Sequence, residues 1–385
     1  QYLPNALPSK GSRYYGEDGA PFAEVGPGPV EFGFPRRTQI FQPELEKALL
    51  DGLDRFDNVT VFFSSELISF KQNLSQVDIT ILGPNKTHVH TTAQYLLGSD
   101  GARSTVRKVL DVQMLGDSYP ENWLIVDTLN DPDTEPVSKF FCSINRPYVS
   151  IPAPSGGRRY EFRVLKHETS KDLLNIKNTQ ARLKPMRNIL LNDIARVAVY
   201  TFEAKIAACW QKNRVFLLGD AAHVTPPFAG QGMNAGLRDA HNLSWKLFLT
   251  STGKSGPGLL GTYEAERREP CWAMIQLAVA MGDIVMPLND QDIAFRNSLI
   301  TWMDRFPAAK DFITQMKFKP SPRYETGAFV NLKNQEFFGS LVGEMLPQIP
   351  VTSVNGSAIR LDQILGQGFT PVSYTHLRAH ETRIH

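Results

Sequence analysis

Cysteine is scarce in this chain of 385 residues: three in all, Cys142, Cys209 and Cys271, widely spaced and odd in number. That excludes a disulfide framework and a CxxC metal site. It predicts reduced, mostly buried thiols in a cytoplasmic protein. Charge of one sign is also lacking. With 41 basic against 39 acidic residues the formal net charge is +2, which argues against nucleic acid or a membrane surface as the main partner. No apolar run reaches the roughly 18 residues that a membrane-spanning helix needs. The first residues, QYLPNALPSKG, carry neither a basic-then-apolar leader nor an initiator Met, so the chain is expected to begin inside a longer protein. What remains is an ordinary globular composition, 42% hydrophobic and 21% charged, long enough for two or three domains with a sizeable core.

Short apolar runs and helical stretches mix along the chain, which predicts an α/β fold with an α+β character. Strands and turns are expected over 1–34. Pro43 to Leu50 should be a helix, with Pro43 in its first turn and Glu44 and Glu46 at its positive end. Strands are expected at Val59–Phe63, Val77–Leu82, His88–Thr92 and Tyr95–Gly98. Residues 119–206 alternate strand-like runs with turns, and one helical stretch falls near 170–190. They predict a separate, mostly antiparallel sheet. Helical periodicity covers Asn234 to about Gly282 and then Gln291–Met303. Residues 321–372 return to turns and short strands. In the last 13 residues, SYTHLRAHETRIH, His376 and His380 stand four apart, as two ligands on one helix face would. The string instead resembles a translated sequencing adapter, and 373–385 is set aside from the fold. His88 and His90 share a strand face without a third ligand, so no metal is expected.

Two stretches carry chemistry. Arg214–Leu247 reads as a buried strand, an acidic turn at Gly219-Asp220, a loop stiffened by Pro226-Pro227 and bared at Gly230-Gln231-Gly232, and then a helix opened by Met233 and Asn234. Gly219 lets a ligand approach the backbone, and Asp220 stands where open α/β sheets bind ligands. There its carboxylate either accepts from sugar-like hydroxyls or caps a turn. The helix N-terminus favours an anion. Leu237, Ala240, Leu243 and Leu247 are expected to form its buried face. The second stretch, Gly98 to Arg107, is again strand, acidic turn and helix. Asp100 caps the turn or bonds a cofactor there, and Arg107 pairs with a phosphate or with Asp100.

DGxxSxxR followed about 120 residues later by GDAAHxxxPxxGQGxN resembles the single-component flavin-dependent aromatic hydroxylases, built like p-hydroxybenzoate hydroxylase. Further motifs point to the branch of that family that acts on hydroxyphenylpropionate. They are Glu31-Phe-Gly-Phe-Pro-Arg-Arg, Gln42-Pro43, Asn122-Trp123-Leu-Ile-Val-Asp127, Asn130-Asp131-Pro132, Arg146-Pro-Tyr148, Arg159-Tyr-Glu-Phe162 and Phe318-Lys-Pro320. The resemblance implies FAD, NADH or NADPH, O2, and hydroxylation of a small phenolic acid ortho to its hydroxyl, with a homodimer as a candidate assembly. It implies an FAD-binding domain of Rossmann type, split into 35–118 and 207–320. A substrate sheet at 119–206, joined by the strands of 1–34, would be inserted into it, and a thioredoxin-like domain would begin within 321–372. It also implies that Asp100, Gly101 and Arg107 serve both cofactors. Gly219, Asp220, Pro227, Gly230, Gln231, Gly232, Met233 and Asn234 would hold the ribityl chain and ring, with Gln42 at the ribityl region. The family's GxGxxG is missing, which makes the Rossmann part incomplete. Gly26 to Glu31 does not replace it, since Pro35 blocks a helix there.

An aromatic acid needs a cation for its carboxylate and a base near its phenol. Arg146, Arg159 and Arg163 are the candidate cations, and Tyr148 and His223 the groups to orient or deprotonate the phenol. Rival readings keep the cofactor with another reaction, such as epoxidation or ring reduction, or keep only FAD binding.

Overall fold

The computed structural model describes residues 3–28, 30, 32–287, 289–315, 317–319, 323–329, 341–353, 355–366 and 368–370. Glu31, Pro320 and the 373–385 tail with His376 and His380 lie outside the described residues. The chain separates into two compact units, Gln1–Pro27 with Arg37–Glu344, and Gly28–Arg36 with Met345–His385. The second contains the hairpin β17 (Pro350–Thr352) and β18 (Ala358–Arg360), followed by helix α9 (Leu361–Leu365).

The first unit is built around an eight-stranded sheet. Its order is β16 (His223–Val224), β13 (Ile194–Ala207), β9 (Met114–Thr128), β12 (Arg158–Arg163), β11 (Tyr148–Pro152), β10 (Ser138–Phe141), β2 (Ser12–Tyr15) and β3 (Pro21–Val25). Every neighbouring pair is antiparallel except β10 with β2. Side chains alternate between faces along each strand. Leu124, Val126, Tyr160 and Phe162 therefore pack on one side, with Leu173 and Leu183 from helices α3 (Ser170–Leu173) and α4 (Ile176–Leu183). Trp123, Ile125 and Phe202 face the other way, against Met274, Leu277 and Met281 of helix α6 (Gly258–Val285).

A second layer holds the parallel pair β8 (Leu96–Gly98) and β15 (Val215–Leu217), with β14 (Gln211–Lys212) antiparallel on the far side of β15. Helices α2 (Thr105–Val109) and α5 (Gly232–Ser251) follow those strands, and Val106, Leu243, Leu260 and Ile275 share a core with Val215, Phe216 and Leu217. Beside it stands the meander β5 (Glu66–Gln72), β6 (Val77–Leu82) and β7 (His88–Ala93). A short pair, β1 (Leu7–Pro8) with β4 (Thr38–Gln39), precedes α1 (Gln42–Asp51), and α7 (Asp290–Met303) and α8 (Pro307–Thr314) follow α6. No single helix among the described residues is long and apolar enough to cross a membrane.

Three expectations change. Val59–Phe63 forms no strand, and Phe62 and Phe63 stand 76% and 69% exposed. Its β-branched and aromatic residues suit a strand, but strand formation needs a partner to pair with. The helical run after Asn234 is two helices, because Gly253 takes a left-handed φ of 71° just past the end of α5. On α5 the buried residues are Ala235, Asp239, Asn242, Leu243 and Lys246, whereas Leu237 is 50% exposed and Ala240 lies at the surface. Of the four residues expected on its buried face, Leu243 is buried and Leu247 packs against the same core, whereas Leu237 and Ala240 do not.

Candidate active site

Strand β15 is fully buried, and Leu218 N donates to Gly98 O at 2.9 Å. The two acidic turns therefore leave the same end of one parallel pair, the carboxyl end where such sheets bind ligands. Arg107 joins them. Its guanidinium donates to Ala221 O at 2.8 Å and to Ala102 O at 2.6 Å, and burial lowers its pKa. It thus brackets the two turns. Asp100 accepts from Ser104 Oγ and from Val106 N, capping α2. Gly101 has a φ of 80° and open space where a Cβ would stand.

The turn after β15 is tied to α5 and α6. Gly219 is left-handed at φ 55°, and a Cβ on Gly236 would meet its Cα at 3.3 Å. Gly219 N donates to Asp239 Oδ2 at 3.1 Å, His223 Nε2 lies 2.6 Å from the same oxygen, and Arg267 Nε lies 2.9 Å from Oδ1. His223 and Asp239 are both 0% exposed. Burial opposes the imidazolium, but Asp239 and Cys271 together outweigh it and push the His223 pKa up to about 10. His223 is therefore held inside the fold with one nitrogen committed, a poor arrangement for a base that must reach a substrate.

Asp220 itself projects to the surface. Pro227–Ala229 forms a short turn closed by Gly230 at φ 59°, and neither Gly230 nor Gly232 has an atom within 4 Å of an added Cβ. Helix α5 starts with no side-chain cap from Gln231, and among the described residues no side chain accepts from its first N–H groups. Met233 and Asn234 are exposed there, and Asn234 Nδ2 donates to Gly230 O at 3.1 Å. A surface carboxylate, bare glycines and an uncapped helix end along one run fit the ribityl chain and the electron-rich end of a flavin. Gln42 opens α1 and donates to Glu46 at 2.7 Å.

Phe228 anchors the Pro227 turn to the large sheet, meeting Trp123 edge-on at 5.8 Å and Phe202 at 5.7 Å. Tyr148 is not on that face. It stacks on Phe141 at 4.2 Å and on Phe162 at 5.5 Å, on the side covered by α3 and α4, and burial pushes its pKa up to about 12. The three candidate cations are engaged within the protein. Arg146 pairs with Glu168 at 2.9 Å, Arg159 grips Asp127 at 2.6 and 3.0 Å, and Arg163 donates to Ile144 O at 2.7 Å.

Two groups that the sequence reading passed over stand on the Trp123 face. Glu161 pairs with Ile125 and Val149 across the sheet, in a row continued by Phe140 and Tyr14. It is buried and makes no hydrogen bond among the described residues, and burial pushes its pKa up to about 7. Arg296 of α7 donates to Cys142 O at 3.2 Å, lies over the Phe22 ring, and has a buried Nη2 with no hydrogen-bond partner among the described residues. Trp123 Nε1 is in the same condition. Strand alternation could have exposed Glu161, since it shares its face with Trp123 and Ile125; nothing local marks Arg296. A separate cleft of about 650 Å³ lies between Leu115–Ser118, Ala204, Ile206 and the Arg268–Val279 part of α6, and none of the predicted site residues lines it. All three cysteines are free thiols, Cys142 and Cys271 buried and Cys209 partly so.

Comparison with known proteins gives a consistent result. Residues 1–278 match the model of the FAD binding domain family. The chain is 37% identical over 373 residues to a 3-(3-hydroxy-phenyl)propionate/3-hydroxycinnamic acid hydroxylase of Escherichia coli (strain SMS-3-5 / SECEC), covering 97% of this chain and 67% of that protein. In fold it is similar to the flavin-dependent monooxygenase PieE in complex with FAD and substrate, with a TM-score of 0.76, 18% identity and coverage of 94% and 73% of the two chains. It is similar also to p-nitrophenol 4-monooxygenase PnpA from Pseudomonas putida DLL-E4, with a TM-score of 0.71, 18% identity and 82% of each chain covered.

Proposed function

The chain belongs to the FAD-binding domain family of aromatic hydroxylases, and we propose that it hydroxylates a phenolic arylpropanoate, 3-(3-hydroxyphenyl)propionate or a related hydroxycinnamate, ortho to its hydroxyl with NAD(P)H and O2. The observation that carries this reading is the pair of acidic turns at one end of β8 and β15, next to the uncapped start of α5. Bound FAD supplies the redox chemistry that the side chains lack. Asp220 accepts hydrogen bonds from the ribityl hydroxyls, with Gln42 beside them. The Gly230–Asn234 backbone faces the ring, where the start of α5 stabilises negative charge. Gly101 leaves room at the second turn, and Arg107 keeps the two turns in register.

The substrate is held on the Trp123 face. Phe228 and Trp123 supply apolar walls that keep water from the ring. Arg296 takes the carboxylate through its spare Nη2, and Glu161 accepts the phenol hydrogen and makes the ring electron-rich. This moves the cation from Arg146, Arg159 and Arg163, and the base from Tyr148 and His223, because those five are engaged or turned away. The test has two readouts. Asp220→Ala is expected to abolish FAD retention on purification, and wild-type flavin occupancy in that variant would refute the site. Product analysis on 3-(3-hydroxyphenyl)propionate should show a catechol formed with substrate-stimulated NADH or NADPH oxidation. An epoxide, a reduced ring or no stimulation would transfer the protein to another reaction or to FAD binding alone.

A further inference from the structure

We propose that Asp239 is a positioning residue for the cofactor: it fixes the Gly219–Asp220 turn, so that the Asp220 carboxylate is presented to the ribityl chain, with His223 and Arg267 as its clamps. The proposal rests on the reading that FAD lies along Gly219–Asn234. Asp239 sits in the second turn of α5 and is fully buried. Its two oxygens gather donors from three other parts of the chain: Gly219 N at the turn, His223 Nε2 on β16 and Arg267 Nε on α6. Arg267 Nη2 also reaches Ala235 O at 3.4 Å, near the start of α5. One carboxylate thus links the residue before Asp220, the strand after it and the helix whose N-terminus faces the ring.

An apolar side chain of similar volume would fill the same space but leave three buried donors without an acceptor. A left-handed glycine has no side chain of its own to hold its conformation. The turn closes on its own backbone, Ala222 N donating to Gly219 O at 2.8 Å, and is fastened to the rest of the fold by Asp239 and by the bond from Arg107 to Ala221 O. This also gives His223 an assignment as the clamp that holds the carboxylate from the β16 side. A second buried ion pair, Lys246 with Glu266 at 2.6 Å, joins the same two helices; Glu266 also accepts from Ala328 N at 2.8 Å, and the pair makes no hydrogen bond to the turn. It provides a control for helix packing alone.

The experiment titrates FAD into the full chain, followed by flavin fluorescence and the visible absorption band. The proteins are wild type, Asp220→Ala, Asp239→Asn, the double variant and Glu266→Gln. Asp239→Asn is expected to weaken FAD binding by at least about tenfold and to shift the flavin band, and Asp220→Ala should add little in its background, since both act through one turn. Glu266→Gln should lower the apo-protein thermal midpoint while changing FAD affinity less than about threefold. Wild-type affinity in Asp239→Asn, or losses that multiply in the double variant, would overturn the proposal. If Asp239→Asn loses its far-UV helix signal, His223→Gln and Arg267→Lys, which each keep a donor, replace it; wild-type FAD affinity in both would overturn the proposal too. Wild-type protein that binds no FAD, or binds it equally well with Asp220→Ala, would instead remove the underlying reading.

Discussion

The two sides of the β8–β15 pair are built very differently. On the β15 side the strand is covered by β14, α5 and α6, and the turn that follows it is bonded to Asp239 and, through Ala221, to Arg107. On the other side β8 is the edge of its sheet, with Leu97 43% exposed. Elsewhere in the chain the apolar run at 59–63 forms no strand and leaves Phe62 and Phe63 exposed. Parallel strands are stable when both faces and both neighbours are supplied. The β15 side meets that condition and the β8 side does not. The ribityl and ring end of the site is therefore preorganised, while a run of Val, Phe and Phe with strand propensity has no ladder to join. Propensity proposes a strand, and pairing decides it.

The largest effects should fall on the covered side. Phe216 is fully buried and packs against Tyr95 and Tyr263. Phe216→Ala is expected to cost about 3–5 kcal/mol in denaturant unfolding, the range for a large side chain removed from a tight core. Phe62→Ser, of similar chemistry but in the exposed 59–63 run, should change stability by less than about 0.5 kcal/mol and improve solubility. Comparable losses for both would mean that the 59–63 run is covered in solution, and the contrast between the two regions would fail.

A second contrast lies within the large sheet. The α3/α4 face pairs its buried polar groups, as Tyr160 does with Asp131 at 2.9 Å. Glu161, on the Trp123 face, has no such partner. Burial raises its folded pKa to about 7 from the ordinary 4.5, with Arg159 pulling down and Asp127 pushing up. The folded state therefore holds the proton more tightly than the unfolded chain. The resulting penalty is absent below about pH 4, grows between pH 4.5 and 7 and is complete above, reaching about 3 kcal/mol. Glu161→Gln should raise the thermal midpoint at pH 8 and leave it unchanged at pH 4. A variant no more stable than wild type at pH 8 would mean that the carboxylate is solvated or paired in solution.

What could be read from the sequence was what is local. Val215–Leu218, the Gly219-Asp220 turn, the bare Gly230–Gly232 loop and the helix after it are encoded within one run of residues, as is the Asp100 turn that caps α2. What escaped depends on residues distant in sequence. Asp239 takes its meaning from His223 and Arg267, and Arg296 from the end of β10. Residues 66–72, poorer in β-formers, form β5, whereas 59–63, seven residues earlier and richer in them, forms no strand. Arg107 was left between a phosphate and Asp100, and its actual acceptors are two backbone carbonyls that no side-chain motif records.

The smallest predicted effect tests why α5 was misread. An amphipathic helix is expected to bury its leucines, and that assumption chose Leu237 and Ala240. The inner face of α5 carries Asp239, Asn242 and Lys246 beside Ala235 and Leu243, because it meets the N–H of the Gly219 turn and the Glu266 carboxylate as well as the apolar β15 core. Leucine at 237 then has no partner to lose. Leu237→Gln should shift the unfolding free energy by less than about 0.5 kcal/mol, whereas Leu243→Ala, six residues on and 1% exposed, should cost about 2–5 kcal/mol. If both leucines prove equally costly, helix α5 is rotated in solution, Asp239 no longer faces Gly219, and the preorganised side of the site loses its main fastening.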